Sequence, residues 1–208
     1  MQHVYVHVPF CRRRCSYCDF SIAVRPKVPS AAYADAIAAE LVLRQRSADW
    51  DDATLHTLYF GGGTPSLLEP SHLARLIQLI APSSAVDREI TIEANPEDVT
   101  AEHAAAWVRA GVNRVSLGVQ SFNARVLEWM HRPHGPEAPA AAVKALNHAG
   151  ISNISLDLIF AVPEDLERNL ADDVERLLAL EPNHISAYGL TVEARTPLAR
   201  WISRGATR

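Results

Sequence analysis

Six short runs of apolar and β-branched residues alternate with longer segments of helical periodicity, and this alternation leaves few folds open to the chain. Gly, Pro or Asn punctuates the runs, as is typical of buried parallel strands. The predicted strands cover residues 4–8, 57–60, 89–94, 114–119, 153–160 and 184–190. Repeated βα units predict right-handed crossovers and a parallel sheet. An open doubly wound sheet and a barrel-like sheet both fit this alternation.

Local signals mark the ends of the helices between these strands. Ser30 is a candidate N-cap for the first helix, whose periodicity places Ile37, Leu41 and Val42 on one face. Thr100 is the corresponding start signal of the third helix, and glycines end the third and fourth. The predicted helices cover residues 30–45, 71–81, 100–111, 138–150 and 169–180.

Residues suited to ligand binding lie at or just past the C-terminal ends of four different strands. They are the Gly-Gly-Gly-Thr-Pro segment at 61–65, Glu93, Gln120 and Asp157. A curved sheet would let them converge on one ligand, as at the C-terminal face of a TIM-type barrel. We therefore predict an α/β fold in which a parallel sheet forms a partial (β/α)6 TIM-like barrel within one domain over residues 1–208.

The composition excludes several classes of partner. The chain has 208 residues and a net charge of −4, with 20 basic and 24 acidic residues. This balance argues against nucleic acid or an anionic membrane as the main partner. The sequence contains no run of 18 apolar residues, so we predict no transmembrane segment. Because a strand-like segment follows the first residues in place of a signal peptide, we expect a cytosolic protein.

All three cysteines lie close together, as Cys11, Cys15 and Cys18 in a C-x3-C-x2-C pattern. A loop this short can turn three thiolates toward one point, which suits a metal centre. A zinc ion with His7 as a fourth ligand is one interpretation. An iron–sulfur cube with one iron left without a protein ligand is another. Three unpaired thiols are the third, whereas an odd number of cysteines in a reducing cytosol disfavours a structural disulfide.

The wider sequence context resembles that of a known class. A C-x3-C-x2-C pattern after the first strand, with Tyr17 before the last cysteine, is similar to the signature of radical S-adenosylmethionine (SAM) enzymes. Six motifs together resemble the anaerobic coproporphyrinogen III oxidase family: YVHVPFCRRRCSYCDF, YFGGGTPS, IEANPE, SLGVQSFN, SLDLIF and ISAYGLTVE. The oxidase branch of that family has a fourth cysteine where this chain has Phe20. The resemblance therefore favours the heme chaperone branch.

This resemblance implies cofactors, partners and site residues. A [4Fe–4S] cluster would be held by the three cysteines, with SAM on the open iron, and heme would be the cargo passed to an acceptor protein. The alternative is an enzyme, an oxygen-independent coproporphyrinogen III oxidase that decarboxylates its substrate to protoporphyrinogen IX. The positions that match SAM contacts are Tyr5, Tyr17, Gly62, Gly63, Thr64, Glu93, Gln120, Arg132, Asp157 and Thr191. Since the family's C-terminal region would lie beyond residue 208, we expect the chain to be an N-terminal portion.

Three further expectations come from individual side chains. Asp157 interrupts an apolar strand, and because a buried unpaired carboxylate would cost several kcal/mol, we predict Arg132 or a ligand as its partner. The basic run from Arg12 to Arg14 either stabilises thiolates or forms a solvated face. Ala161 stands where the family has glycine, and we expect a negative φ there.

Overall fold

The structure, a computed structural model, describes residues 3–46, 55–82 and 88–205. Within these ranges, six strands form one sheet in which all neighbours are parallel. They are β1 (His3–Val8), β2 (Thr57–Gly62), β3 (Glu89–Ala94), β4 (Arg114–Gln120), β5 (Asn153–Phe160) and β6 (His184–Gly189). The predicted α/β fold with a parallel sheet is confirmed.

The strand order decides between the two architectures that the sequence left open. The strands follow one another across the sheet in chain order, from β1 at one edge to β6 at the other. A doubly wound sheet would reverse direction at a switch point in its interior. The observed order is instead that of consecutive units of a barrel wall, open between β1 and β6 in the part of the chain that the structure describes.

Helices connect the strands within the described ranges. They are α1 (Ser30–Gln45), α2 (Pro70–Ile80), α3 (Ala101–Ala110), α4 (Ala124–Trp129), α5 (Ala138–Ala149), α6 (Leu170–Leu178) and α7 (Pro197–Ser203). Single 3-10 turns lie at Pro65–Leu67, Pro96–Asp98 and Glu164–Leu166, and two-residue strands at Phe10–Cys11 and Ala23–Val24 pair in the first loop. The sequence did not predict the short helices α4 and α7. No helix in the described residues is long and apolar enough to cross a membrane.

The helix-end predictions were correct for α3 and wrong for α1. The Thr100 hydroxyl accepts the His103 backbone N–H, and Gly111 ends α3 with a left-handed φ. Ser30 lies inside α1, where its hydroxyl accepts the Glu69 backbone N–H at 3.2 Å, and Pro29 occupies the N-cap. The Ser30 side chain therefore binds a neighbouring loop, whereas its local sequence preference predicts a helix cap.

The predicted apolar face of α1 packs on the core at Ile37 but not along its whole length. Ala34 is fully buried, whereas Val42 is 46% exposed and Leu41 is only half-buried. Small residues let the first half of the helix approach the rest of the protein, and the second half extends past it. Periodicity alone indicates an apolar face without showing how far along the helix that face is covered.

Strand alternation separates the core from the cavity side of the sheet. Leu58, Phe60, Ile92 and Leu117 are fully buried and pack with helix residues such as Trp107 in one large core. Since successive side chains point to opposite faces of a strand, the residues between them lie on the other face. These include Tyr59, Glu93, Ser116 and Asp157.

Candidate cofactor-binding site

A cavity of about 390 Å³ lies at the C-terminal ends of the strands. This volume is within the usual range for small-molecule sites. Twelve of the predicted site residues line it: Cys11, Cys15, Tyr17, Cys18, Gly62, Gly63, Thr64, Glu93, Gln120, Arg132, Asp157 and Thr191. The fold therefore brings residues 180 positions apart in sequence to one place.

Tyr5 is the predicted site residue that does not line this cavity. Its side chain is 57% exposed and its ring stacks on Tyr59, with 5.9 Å between ring centroids. The Tyr5 hydroxyl lies 3.2 Å from His7 Nδ1. A role for Tyr5 toward a ligand in the cavity is thus indirect, through Tyr59 and His7.

Both ring nitrogens of His7, the candidate fourth zinc ligand, have hydrogen-bond partners within the protein. His7 Nε2 lies 2.9 Å from the Ser21 backbone oxygen, and a carbonyl can only accept, so Nε2 carries the hydrogen. Nδ1, the other ring nitrogen, lies 3.2 Å from the Tyr5 hydroxyl.

Each cysteine of the loop receives a hydrogen bond from a different part of the chain. The Thr64 hydroxyl donates to Cys11 Sγ at 3.4 Å, and Arg132 Nη1 donates to Cys15 Sγ at 3.7 Å. The Phe20 backbone N–H donates to Cys18. Burial raises the pKa of the Cys11 and Cys18 thiols, and these donors act in the opposite direction. Donors aimed at sulfur stabilise the thiolate, which is the metal-binding form.

The three thiols are not gathered around a single point among the described residues. Within the described ranges, no group of three or more His, Cys, Asp or Glu side chains is gathered closely enough to hold one ion. Zinc–sulfur bonds of about 2.3 Å would bring tetrahedrally arranged thiolates to about 3.8 Å from one another. An iron–sulfur cube binds each thiolate to a different iron, so it suits a more open set of ligands.

Glu93 is fixed at the cavity wall by two donors from β2. The Gly62 backbone N–H donates to Oε2 and the Tyr59 hydroxyl donates to Oε1, each at 2.9 Å. Both oxygens of the Glu93 carboxylate are therefore held in place by hydrogen bonds. Tyr59 was missed in the sequence, although strand alternation places it on the same face as Glu93.

The glycines after β2 allow two segments of the protein to approach each other. Gly62 has a φ of +114°, and a Cβ there would lie 2.5 Å from the His7 ring. A Cβ on Gly63 would lie 2.8 Å from the backbone of Pro9 and Phe10. The glycine backbone lines the cavity, and it also makes room for the start of the cysteine loop.

Of the two partners predicted for Asp157, Arg132 is not the one observed, and a ligand stays a prediction. Asp157 accepts a hydrogen bond from the Ser116 hydroxyl, at 3.2 Å to Oδ1. Burial raises the pKa of Asp157 to about 6, nearby Glu93 adds to this rise, and hydrogen bonds from Ser186 and Ser116 oppose it. Ser186 on β6 lies directly opposite Asp157, whereas Ser116 lies opposite Ser155, so both partners depend on the register of the neighbouring strands.

Arg132 is directed toward the cysteines because it follows α4 and not a strand. Its Nη2 donates to the Gly118 backbone oxygen at 2.9 Å and to Asn95 Oδ1, while Nη1 reaches Cys15. Its Nε is buried and has no hydrogen-bond partner among the described residues. A buried donor of this kind at a cavity wall fits an acceptor on a bound ligand.

Each of the three arginines of the cysteine loop contacts another residue of the protein. Arg12 Nη1 lies 2.8 Å from Asp98 Oδ1, Arg13 Nη1 donates to the His131 backbone oxygen at 3.4 Å, and Arg14 Nη1 donates to the Cys18 backbone oxygen at 3.2 Å. All three side chains are exposed to solvent, and the Arg14 charge also opposes the rise that burial causes in the pKa of Cys11 and Cys18, so both interpretations of this run have support. Asp98 itself was not identified from the sequence.

Two residues near the strand ends have backbone conformations that favour glycine. Ala161, just after β5, has a φ of +59°, so the expected negative φ is wrong. Gln120, the last residue of β4, has a φ of +66° and lines the cavity. The turn after β5 keeps a left-handed geometry even though its residue carries a methyl group. Such strain is common around ligand sites.

One class of protein combines a wall of parallel strands, three thiols in a loop after the first strand, and a cavity beside them with polar side chains at the strand ends. The chain belongs to the radical SAM superfamily, whose family model matches residues 5–177. That family implies a [4Fe–4S] cluster and SAM as cofactors.

Within this class, the chain is similar to the heme chaperone HemW of Mycobacterium tuberculosis (strain CDC 1551 / Oshkosh), with 41% identity over 97% of this chain and 53% of the relative. An oxygen-independent coproporphyrinogen III oxidase of Bradyrhizobium diazoefficiens is 37% identical over 89% of this chain and 42% of the relative. The solved coproporphyrinogen III oxidase HemN of Escherichia coli, described as a radical SAM enzyme, has a TM-score of 0.80 and 28% identity, covering 91% of this chain and 44% of that one. The chain spans about half the length of the curated relatives that it matches.

Proposed function

We propose that Cys11, Cys15 and Cys18 hold a [4Fe–4S] cluster, with SAM in the adjoining cavity, in a protein that delivers heme to an acceptor protein. One observation carries this proposal. A single cavity is lined by three thiols that accept hydrogen bonds and by polar side chains at the C-terminal ends of the strands. When bound, these cofactors supply one-electron cleavage of SAM to methionine and a 5′-deoxyadenosyl radical.

The chain's own residues have separate roles in this proposal. Thr64 and Arg132 stabilise thiolates, and the buried Nε of Arg132 offers a donor to the ligand. Glu93, oriented by Gly62 and Tyr59, accepts from hydroxyl or ammonium groups of SAM. The backbone of Gly62 and Gly63 and the side chains of Tyr17, Gln120, Asp157 and Thr191 form the remaining wall.

Domain extent and location belong to the same proposal. We assign residues 1–208 to one radical SAM core domain that forms the N-terminal portion of a longer protein, as the coverage of its relatives suggests. The stretches 1–2, 47–54, 83–87 and 206–208 lie outside the described residues. We place the protein in the cytosol, a reducing compartment in which three thiols remain available for a cluster.

An oxidase is the second candidate, because the chain is also similar to coproporphyrinogen III oxidases. Phe20 argues against it. It occupies the position of the oxidase branch's fourth cysteine, it lies at the cavity wall and its side chain is 61% exposed. A phenyl group offers neither a thiol nor an exchangeable proton.

One experiment separates the two candidates. The full-length gene product, reconstituted with iron and sulfide, is incubated anaerobically with coproporphyrinogen III, SAM and a reductant, and the porphyrins are separated by chromatography. A parallel titration with heme uses the full-length product and the 208-residue chain. We expect saturable heme binding by the full-length product, weaker binding by the 208-residue chain, and no protoporphyrin above the level of a Cys15→Ala control. Product that depends on Cys15 would establish the oxidase instead.

A further inference from the structure

The carboxylate of Asp98 lies beneath the loops that surround the cysteines. Asp98 ends the 3-10 turn Pro96–Asp98 that follows β3, and its side chain is 1% exposed. Its backbone is also fixed, because Asp98 N donates to the Asn95 oxygen at 3.0 Å and Asp98 O lies 2.8 Å from His103 Nδ1. The carboxylate therefore presents a rigid point of attachment.

Each oxygen of this carboxylate binds a different loop. Oδ1 lies 2.8 Å from Arg12 Nη1, and Oδ2 accepts the Ser66 hydroxyl at 2.8 Å. Burial raises the pKa of Asp98, and the Ser66 hydrogen bond and the Arg12 charge oppose that rise. Loss of Arg12 would leave the buried Asp98 carboxylate without its countercharge, which is costly.

Both residues that Asp98 contacts are linked to Cys11. Arg12 follows Cys11 directly in the chain, and Ser66 is two residues from Thr64, whose hydroxyl donates to Cys11 Sγ. Asp98 therefore connects the cysteine loop, the loop after β2 and the turn after β3. Arg13 and Arg14, in contrast, donate hydrogen bonds to backbone oxygens, at 3.4 and 3.2 Å.

We propose that Asp98 is a positioning residue that, through its ion pair with Arg12, holds the cysteine loop in its ligand-binding shape before the cluster is inserted. The identity of the metal centre rests on the proposed function, but the ordering of the loop does not. The Arg12 side chain is 59% exposed, so its ion pair with Asp98 can break without unfolding of the domain.

The first test uses the chain without its cluster. Hydrogen exchange of residues 11–21, read by mass spectrometry, is compared between the unmutated chain, Arg12→Gln, Asp98→Asn and the matched control Arg13→Gln. We expect the first two variants to exchange at least about fivefold faster in this segment, with α2 and α5 unchanged, and the control to match the unmutated chain. Equal exchange in all four proteins would overturn the proposal, whatever metal the site binds.

The second test measures how firmly the reconstituted centre is held. Iron release to an excess of chelator is followed anaerobically for the same variants, for Arg12→Lys and for the double variant Arg12→Gln/Asp98→Asn. We expect each single variant to lose iron about tenfold faster, the double variant to be no faster than the worse single one, and Arg12→Lys to recover part of the difference. Additive effects in the double variant, or equal loss in Arg13→Gln, would show that charge near the centre and not the pair is responsible. If the unmutated chain takes up no iron, the proposed function fails while the exchange experiment still decides the role of Asp98.

Discussion

Ala161 and Gln120 follow or end neighbouring strands, and both adopt φ angles above +50° without being glycine. For a residue with a Cβ, this region costs roughly 1–2 kcal/mol. Both residues are adjacent to the strand ends that form the cavity. At Ala161 the backbone keeps the left-handed conformation typical of a glycine turn, although the methyl group makes this conformation sterically unfavourable.

Substitution of Ala161 by glycine should therefore stabilise the protein. We expect the free energy of unfolding to rise by about 1 kcal/mol, because glycine enters the left-handed region without steric cost. Denaturation with urea measures the change. Ala141→Gly, at an exposed position within α5, is the matched control and should lower stability by about 1 kcal/mol. A loss of stability in Ala161→Gly would show that the methyl group makes a favourable contact that outweighs the strain.

Asp157 gives the protein a pH-dependent stability of known sign. Its folded-state pKa of about 6 exceeds that of an unfolded aspartate, so the folded state binds the proton more tightly. Stability is then highest below pH 4 for this group and falls as the pH rises from about 4 to 6. Asp157→Asn should remove this loss, and its advantage over the unmutated chain should grow from below about 1 kcal/mol at pH 4 to about 3 kcal/mol at pH 7. Urea denaturation across this range measures it, and an advantage that does not change with pH would contradict the assignment.

At the scale of secondary-structure elements, a buried carboxylate fixes the start of α6 against the end of β4. Asp173 accepts the Ser121 hydroxyl at 2.6 Å, the Phe122 backbone N–H at 2.8 Å and Arg168 Nε at 2.7 Å. The Asp173 and Arg168 side chains are each 4% exposed. This arrangement holds the segment after β4, and with it the strained backbone of Gln120.

Neutralising this carboxylate should strongly destabilise the fold. Asp173→Asn leaves the Arg168 charge buried without a countercharge, so we expect the free energy of unfolding to fall by about 3 kcal/mol. Glu175→Gln, on the exposed side of the same helix, should change it by less than about 0.5 kcal/mol. Thermal or chemical denaturation of the two variants tests the difference. Similar values for both would mean that the ion pair contributes no more than a surface charge.

The glycines after β2 show how an element can be misread from sequence. Their spacing indicates a backbone that approaches a ligand, but the structure also places the Gly63 α-carbon against Pro9 and Phe10. A side chain at Gly63 would therefore shift the start of the cysteine loop as well as crowd the cavity. Loss of cofactor in such a variant would not by itself identify a SAM contact.

For the whole molecule, the sequence was sufficient for the strands, their parallel arrangement and the set of residues around the cavity. Apolar runs and glycine ends are local signals, and β3 and β5 have the predicted bounds. The partners of Asp157 and Arg132 were not predictable in this way, because they depend on strand register and on the short helix α4. Asp98 was missed for the same reason: its partners Arg12 and Ser66 come from loops far apart in sequence.

The central claim is that the three cysteines hold a cluster with one iron open to SAM. The most direct measurement is iron and sulfide analysis of the anaerobically reconstituted chain, followed by electron paramagnetic resonance of the reduced protein before and after SAM is added. The account predicts about four irons and four sulfides per chain, loss of both in Cys11→Ala, Cys15→Ala or Cys18→Ala, and a changed spectrum with SAM. Stoichiometric zinc without iron uptake, or a spectrum that SAM leaves unchanged, would contradict it.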